Sequence, residues 1–325
     1  MPATHAEGRC RLFRRPGRTR VAAAVEWQEG SRGQGAVVLT VVVAGLVSGA
    51  VLLLATVGFE LLRRVEGFLN IAHPQLIVLS GFSAYGFNVL VGLHWIVSCV
   101  LAIAVTTMVG LVSARMIFWP MRQRPHYIPM IASVGLAFFL HAMIELFTGF
   151  GVKTLDVPLQ KTISIGGVAV AGADQIAVIG TAALVVVALH FWLARSYSGR
   201  ALRAMSNNPA LAQIRGINTS HLQYLTWAVA SALAALAGTL IALTARIYPE
   251  LGWDQVLVIS AAAIIGGLGS IYGVMVAAVV VGLTSSLATL AIPSEYTQMV
   301  VFAVIALVVF VRPEGLFSGP KERVA

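Results

Sequence analysis

Two long uncharged stretches constrain this chain more than any other feature of its sequence. Residues 74–114 hold 41 positions without Asp, Glu, Lys or Arg, and residues 255–294 hold 40. A hydrocarbon core of roughly 30 Å needs about 20 apolar residues in a helix, so each stretch is long enough for two crossings. Hydrophobic residues make up 58% and charged residues 11% of the chain, whereas roughly one quarter of a soluble domain is charged. The sequence therefore predicts an integral membrane protein.

The other apolar runs complete an all-α, polytopic bundle. They lie at residues 35–59, 126–148, 173–194, 222–245 and 296–311. With two segments in each uncharged stretch the count is nine, within an expected range of eight to ten. Residues 60–75, which follow the first span, are polar and broken by Gly67 and Pro74. Residues 149–172 and 246–254 are expected to form loops on the external face.

The two ends of the chain differ from the membrane domain, which we place at residues 36–318. Residues 1–35 carry seven arginines and are expected to be a disordered basic tail, or the product of a misassigned start. Residues 319–325 form a C-terminal tail. The formal charge of +9 does not indicate nucleic-acid binding, because the arginines flank apolar runs in the way that sets membrane topology. Arg312, Lys321 and Arg323 place the C-terminus in the cytoplasm.

The longest polar passage between two apolar runs is the basic loop of residues 195–217, which contains four arginines and no acid. Such a loop faces the cytoplasm. Asn208 can cap a new helix, Pro209 suits its first turn, and Gly216 can end it in the left-handed conformation. Ala210, Leu211 and Ile214 would share one apolar side of this two-turn helix. The loop either only joins two spans or presents this side to a partner protein.

Motifs for chemistry are absent from the sequence. No Gly-x-x-x-x-Gly-Lys-Ser/Thr segment could hold a nucleotide, and no H-E-x-x-H metal motif occurs. No serine has the small-residue elbow that exposes a nucleophile. The seven histidines and two cysteines show no metal-ligand spacing. We expect no enzymatic activity, no cofactor and no metal in this chain, so that any ATP hydrolysis belongs to a partner.

Two interrupted segments, residues 67–86 and 252–273, are candidates for a solute path because an opened helical turn frees backbone groups to meet a polar solute. The residues predicted to line this translocation path are Asn70, His73, Gln75, Ser80, Gly266, Gly267 and Gly269. The alternative for the glycines is close helix packing, which small residues permit in membranes. Glu145 is a further candidate, as the acid that lies well inside an apolar run.

Four motifs in order resemble the branched-chain amino-acid permease family of ABC importers. They are G-F-L-N-I-A-H at 67–73, G-R-A-L-R-A at 199–204 followed by N-N-P at 207–209, A-I-I-G-G-L-G-S-I-Y-G at 263–273, and R-P-E-G-L-F at 312–317. The family commonly has Gly-Glu after the histidine of the first motif, whereas this chain has Pro74 and Gln75. That difference removes a charge near the predicted path and allows a changed substrate.

The resemblance implies a permease bundle in the bacterial inner membrane and a set of partners. These are two ABC ATPase subunits, a second permease subunit in a heterodimer, an extracytoplasmic solute-binding protein on the external loops, and a small polar solute. The basic loop would be the coupling loop to the ATPase, through Gly199, Arg200, Arg203, Asn208, Pro209, Ala210, Leu211, Ile214 and Gly216. Branched-chain amino acids are the expected solute, with urea or short amides as an alternative. An ion-coupled secondary transporter is the alternative from another class.

Overall fold

The computed structural model describes residues 18–158, 162–165, 168–267, 269–293 and 296–311, and it is almost entirely helical. Among these residues, six helices are long and apolar enough to cross a membrane, and two shorter apolar helices accompany them. A 13-residue helix that continues into a π-helical turn adds a further apolar segment. The total is nine, so the predicted all-α polytopic bundle is confirmed.

The helices follow one another with short connections. Their bounds are α1 (Arg18–Glu66), α2 (His73–Tyr85), α3 (Trp95–Ser113), α4 (Trp119–Met121), α5 (Tyr127–Thr148), α6 (Ala173–Arg195), α7 (Tyr197–Asn207), α8 (Pro209–Ile214), α9 (Thr219–Thr244), α10 (Leu251–Gly266), α11 (Ile271–Ala288) and α12 (Thr297–Val311). Single π-helical turns extend α2 over Gly86–Leu90 and α3 over Ala114–Phe118.

Helix α9 forms the centre of the bundle, with 67% of its most apolar window buried. Small residues make this possible, because they allow helix backbones to approach closely. A side chain added at Gly238 of α9 would collide with the backbone carbonyl of Ile77 in α2. Gly49 of α1 and Gly282 of α11 face each other in the same way. The glycines of this sequence therefore serve helix packing at these two crossings.

Helix α1 extends further in both directions than the sequence indicates. Residues 18–35, expected to be tail, lie in α1, while residues 1–17 are outside the described part of the chain. At the other end, residues 60–66 continue the helix beyond residue 59, where the first span was expected to end. Glu60 is fully buried. The helix continues because this segment packs inside the bundle, where its polar groups find partners.

The bundle has two ends, which we name by what they carry. The α8 end holds α4, α7 and α8. The hairpin end holds a short antiparallel hairpin of β1 (Thr162–Ile165) and β2 (Val168–Gly172). The loop before β1 pairs with the loop after α9 through reciprocal backbone hydrogen bonds between Lys153 and Ile247. The loops expected at 149–172 and 246–254 thus meet at Lys153 and Ile247, while residues 251–254 of the second belong to α10.

Candidate functional site

The segment between α6 and α9 is built as two consecutive short helices. Ser196 caps α7, its Oγ accepting from the Gly199 amide at 2.9 Å. A side chain at position 199 would collide with the last carbonyls of α6, so glycine is required for the tight α6–α7 corner. Arg200 donates to the Arg195 carbonyl at 2.7 Å and Arg203 to the Leu193 carbonyl at 2.6 Å. These two arginines thus satisfy free carbonyls at the C-terminus of α6.

Helix α8 begins and ends as its sequence predicts. The Asn208 Oδ1 accepts from the Leu211 amide at 3.0 Å, Pro209 lies in the first turn, and Gly216 follows with φ of +79°. Leu211 is 52% and Ile214 82% exposed. Ala210 is exposed beside them, while Ala212 faces the bundle. The local structure is confirmed, and the role of these residues in coupling stays a prediction.

Helix α7 is an element that the sequence reading missed. Its inner side is formed by Ala201, Leu202 and Met205, which are buried, while Arg200 and Ala204 point outwards. Apolar residues at i, i+1 and i+4, after a serine that can cap a helix, would have predicted α7. The four arginines of the loop made this apolar pattern hard to recognise. Because α7 packs on the bundle, it holds α8 at a fixed position.

A polar cavity of about 530 Å³ opens at the α8 end, bordered by α1, α4, α7, α8 and α9. Its cationic side chains are Arg64, Arg122 and Arg124, and the ring of His126 lies beside them. The Arg64 Nε donates to the Ser206 Oγ at 3.2 Å and so ties α1 to α7. The one carboxylate on the cavity wall, that of Glu66, accepts from the Trp227 Nε1 at 2.9 Å. The cavity wall therefore has more cationic than anionic side chains, and it includes residues of α7 and α8.

Glycine is required where the chain leaves α1 and enters this cavity. Gly67 has φ of +78°, and a side chain there would meet the ring of His126. Beyond it, Phe68 stacks on Phe118, which stacks on Trp227 at centroid distances of 5.4 and 4.9 Å. The motif at residues 67–73 thus begins with a turn and an aromatic stack, which together fix the position of the α8 end of α1.

The four polar residues predicted to line the path lie in the interior of the bundle. Asn70, His73, Gln75 and Ser80 are at most 2% exposed. The Asn70 Oδ1 accepts from the Ala72 amide, and His73 Nε2 lies 3.1 Å from the Ala55 carbonyl. The Ser80 Oγ donates to the Ala235 carbonyl at 2.7 Å. Three of the four therefore bind backbone groups in or next to the bundle helices.

Gln75 differs from these three, because its side-chain amide has no hydrogen-bond partner among the described residues. It lies against Gly252 of α10, where an added Cβ would meet the Gln75 amide. The two interrupted segments thus touch through Gln75 and Gly252. The large polar cavities at the two ends of the bundle are lined by other residues.

The predicted path glycines lie at the other end of α10, about 20 Å from Gly252 along the helix. Gly266 packs closely against Val274, and Gly267 and Gly269 adopt φ of +91° and +101° in the turn to α11. The structure does not bring these glycines together with Asn70, His73, Gln75 and Ser80. They form a tight turn between α10 and α11.

A buried carboxylate joins this turn to α1. The Gly269 amide donates to the Glu60 Oε1 at 2.7 Å, and Arg63 binds both Glu60 oxygens at 2.6 and 2.7 Å. Glu60 is fully buried. Glu145, the expected intramembrane acid, is instead partly exposed and lies 3.3 Å from the His141 Nε2. Glu60 is thus the deep acid of this bundle, and its partner 209 positions away could not be identified from the local sequence.

Nine apolar segments, of which α9 is the most buried of the long ones, with a cavity that has polar side chains at each end, define a polytopic helical membrane protein of the transporter class. A family model described as "Branched-chain amino acid transport system / permease component" matches residues 41–309. The chain belongs to this family. The match begins near the middle of α1 and ends just before the end of α12.

Individual relatives are similar over nearly their whole length. The "High-affinity branched-chain amino acid transport system permease protein BraD" of Pseudomonas aeruginosa is 27% identical, over 86% of this chain and 95% of the relative. The corresponding permease protein LivH of Escherichia coli K12 is 26% identical, over 85% and 94%. A chain of the solved PsaBC complex of Streptococcus pneumoniae with Fab aligns at a TM-score of 0.47 with 13% identity, over 83% of this chain and 91% of that chain.

Proposed function

We propose that this chain is one permease subunit of an ABC importer for branched-chain amino acids in the bacterial inner membrane. Its α8 end faces the cytoplasm and binds an ATPase subunit through α8. Its hairpin end faces outwards and receives a solute-binding protein. A second permease subunit completes the path, and ATP is hydrolysed by the partner chains.

The exposed apolar face of α8 is the observation that carries this proposal. Most other exposed large apolar side chains lie on the long apolar helices, where lipid would cover them, and a few, such as Phe150 and Val152, lie in loops at the hairpin end. Leu211 and Ile214 instead lie in a polar segment next to Asn208, Gln213 and Arg215. Because α8 is capped and held by α7, it presents these side chains at a fixed position, as recognition of a short helix by a groove requires.

The solute is inferred from the family and from its relatives BraD and LivH, whose names specify branched-chain amino acids. An ion-coupled carrier would need a deep acid free to bind an ion or a proton. Glu60 is deep, but both of its oxygens bind Arg63 and one also accepts from Gly269. Its contacts are those of a structural ion pair. We therefore favour an ATP-driven importer over a secondary transporter.

The experiment is reconstitution of the full complex in lipid with each of several solute-binding proteins, comparing wild type with Leu211→Asp. Assembly with the ATPase and solute-stimulated ATP hydrolysis are measured across leucine, isoleucine, valine, urea and short amides. We expect Leu211→Asp to lose assembly or stimulated hydrolysis, because a charge would enter an apolar groove without a partner. The solute that stimulates hydrolysis identifies the substrate.

Phe150→Asp is the matched control, since Phe150 is also an exposed apolar residue, at 76%, but lies near the hairpin end. It should assemble with the ATPase as wild type does. The proposal is wrong if solute uptake persists in a preparation with no bound ATPase. The assignment of α8 is wrong if both aspartate variants assemble and hydrolyse ATP equally well.

A further inference from the structure

A second polar cavity, of about 430 Å³, lies at the hairpin end between α1, α9, α10, α11 and α12. Its size is within the range of small-molecule sites. Polar side chains from all five of these helices and from the loop after α9 line it, and together we call them the polar wall: Ser48, Thr244, Arg246, Tyr248, Gln255, Ser285, Thr297 and Gln298. None of these residues belongs to the predicted path or to the α8 end.

The remaining lining residues are apolar. Val51 of α1, Ile241 of α9 and Val281 of α11 are among them, together with two leucines and further valines of the surrounding helices. An aliphatic side chain placed against them would lose contact with water, which favours binding. The cavity thus combines an apolar wall with a polar wall, as a small amphiphilic solute requires.

The polar wall provides a place for an anion. No carboxylate among the described residues forms an ion pair with Arg246, which lies in the loop directly after α9. The guanidinium is exposed and offers a planar set of donors that matches a carboxylate. Thr297 adds a buried hydroxyl that has no partner in the described part of the chain.

The same wall provides acceptors for a cation. The side-chain amides of Gln255 and Gln298 offer carbonyl oxygens, and the C-terminus of α9 carries the negative end of the helix dipole. The Tyr248 hydroxyl donates to the Asp254 Oδ2 at 2.8 Å, so its oxygen can accept. Burial, and then the neighbouring Asp254, raise the pKa of Tyr248 to about 12, so this arrangement persists at neutral pH.

We propose that this cavity is an entry subsite for an α-amino acid with a branched aliphatic side chain. Arg246 binds the carboxylate, the amide and hydroxyl oxygens bind the ammonium group, and the wall of α1, α9 and α11 receives the side chain. This inference rests on the proposed function and adds to it the place where the solute first meets this subunit. It also assigns Arg246 as a specificity-determining residue.

Cysteine protection tests the subsite without depending on transport. Ser48 is exposed and lines the cavity, so a Ser48→Cys variant can be labelled with a neutral maleimide in the assembled complex in lipid. Cys10 and Cys99 are first replaced by serine and alanine. Labelling rates are measured with L-leucine and with leucinol, which keeps the side chain and the amine but has no carboxylate. Uptake of leucine by the wild-type complex is measured in parallel.

We expect leucine to slow labelling at position 48 and leucinol to require at least about tenfold higher concentration for the same effect, as one lost charge-assisted hydrogen bond implies. Arg246→Gln should remove the difference between the two compounds. Lys153→Gln, a cation near the hairpin end that lies outside the cavity wall, should preserve it. Leu46→Cys, also exposed on α1 but outside the cavity, should show no protection.

Three results would overturn the proposal. Leucine uptake by wild type without protection at position 48 would show that the subsite does not exist and would leave the proposed function intact. Protection that Arg246→Gln does not change would show that Arg246 does not bind the carboxylate. Absence of both uptake and protection would reject the proposed function together with the subsite.

Discussion

The Glu60–Arg63 pair allows a quantitative test of how α1 is attached to the α10–α11 turn. Arg63→Met leaves a fully buried carboxylate with only the Gly269 amide as partner. Loss of one member of a buried pair costs about 3–5 kcal/mol of unfolding free energy. Glu60→Gln should cost less, about 1–3 kcal/mol, because one oxygen can still accept from Gly269 and the 19% exposed Arg63 can turn to water.

The double variant decides whether the pair acts as a unit. With both charges removed, its loss of stability should be smaller than the sum of the two single losses by about 1–3 kcal/mol. Unfolding would be followed by circular dichroism in mixed micelles of increasing SDS content for wild type, both single variants and the double variant. Losses that add within about 0.5 kcal/mol would show that Glu60 and Arg63 are not coupled and would refute this reasoning.

Two further substitutions test local features. Gly238→Ala should lower stability by about 1–3 kcal/mol, because its Cβ would force α9 away from the Ile77 carbonyl; a melting temperature equal to that of wild type would contradict the close α2–α9 contact. Asn208→Ala should cost α8 about 1 kcal/mol and speed amide hydrogen exchange at Leu211, whose N–H loses its cap. Unchanged exchange there would mean that the cap does not stabilise α8.

Features set by neighbouring residues could be predicted from the sequence. Asn208, Pro209 and Gly216 act within one short segment, so the start and end of α8 were correctly predicted. Apolar length also predicted an all-α bundle of many membrane segments, because the bilayer sets a nearly fixed helix length.

Features that depend on distant contacts could not be predicted. The burial of Glu60 requires Gly269 as a partner, and the contact of Gln75 with Gly252 joins segments more than half the chain apart. The residues of the predicted translocation path also depend on distant contacts that the local sequence does not show. Polar residues in broken membrane segments bind either a solute or the backbone, and in this bundle Asn70 and Ser80 bind the backbone.

The central position of α9 has a consequence for biogenesis. It is the sixth of the nine apolar segments in chain order, so α1, α2, α3 and α6, which pack on it, leave the ribosome before it does. Until α9 arrives, Ser80 has no Ala235 carbonyl and Glu66 has no Trp227 indole. The early helices must therefore insert with polar groups unsatisfied, and their final arrangement waits for the second half of the chain. Assembly in the membrane then follows insertion as a separate step.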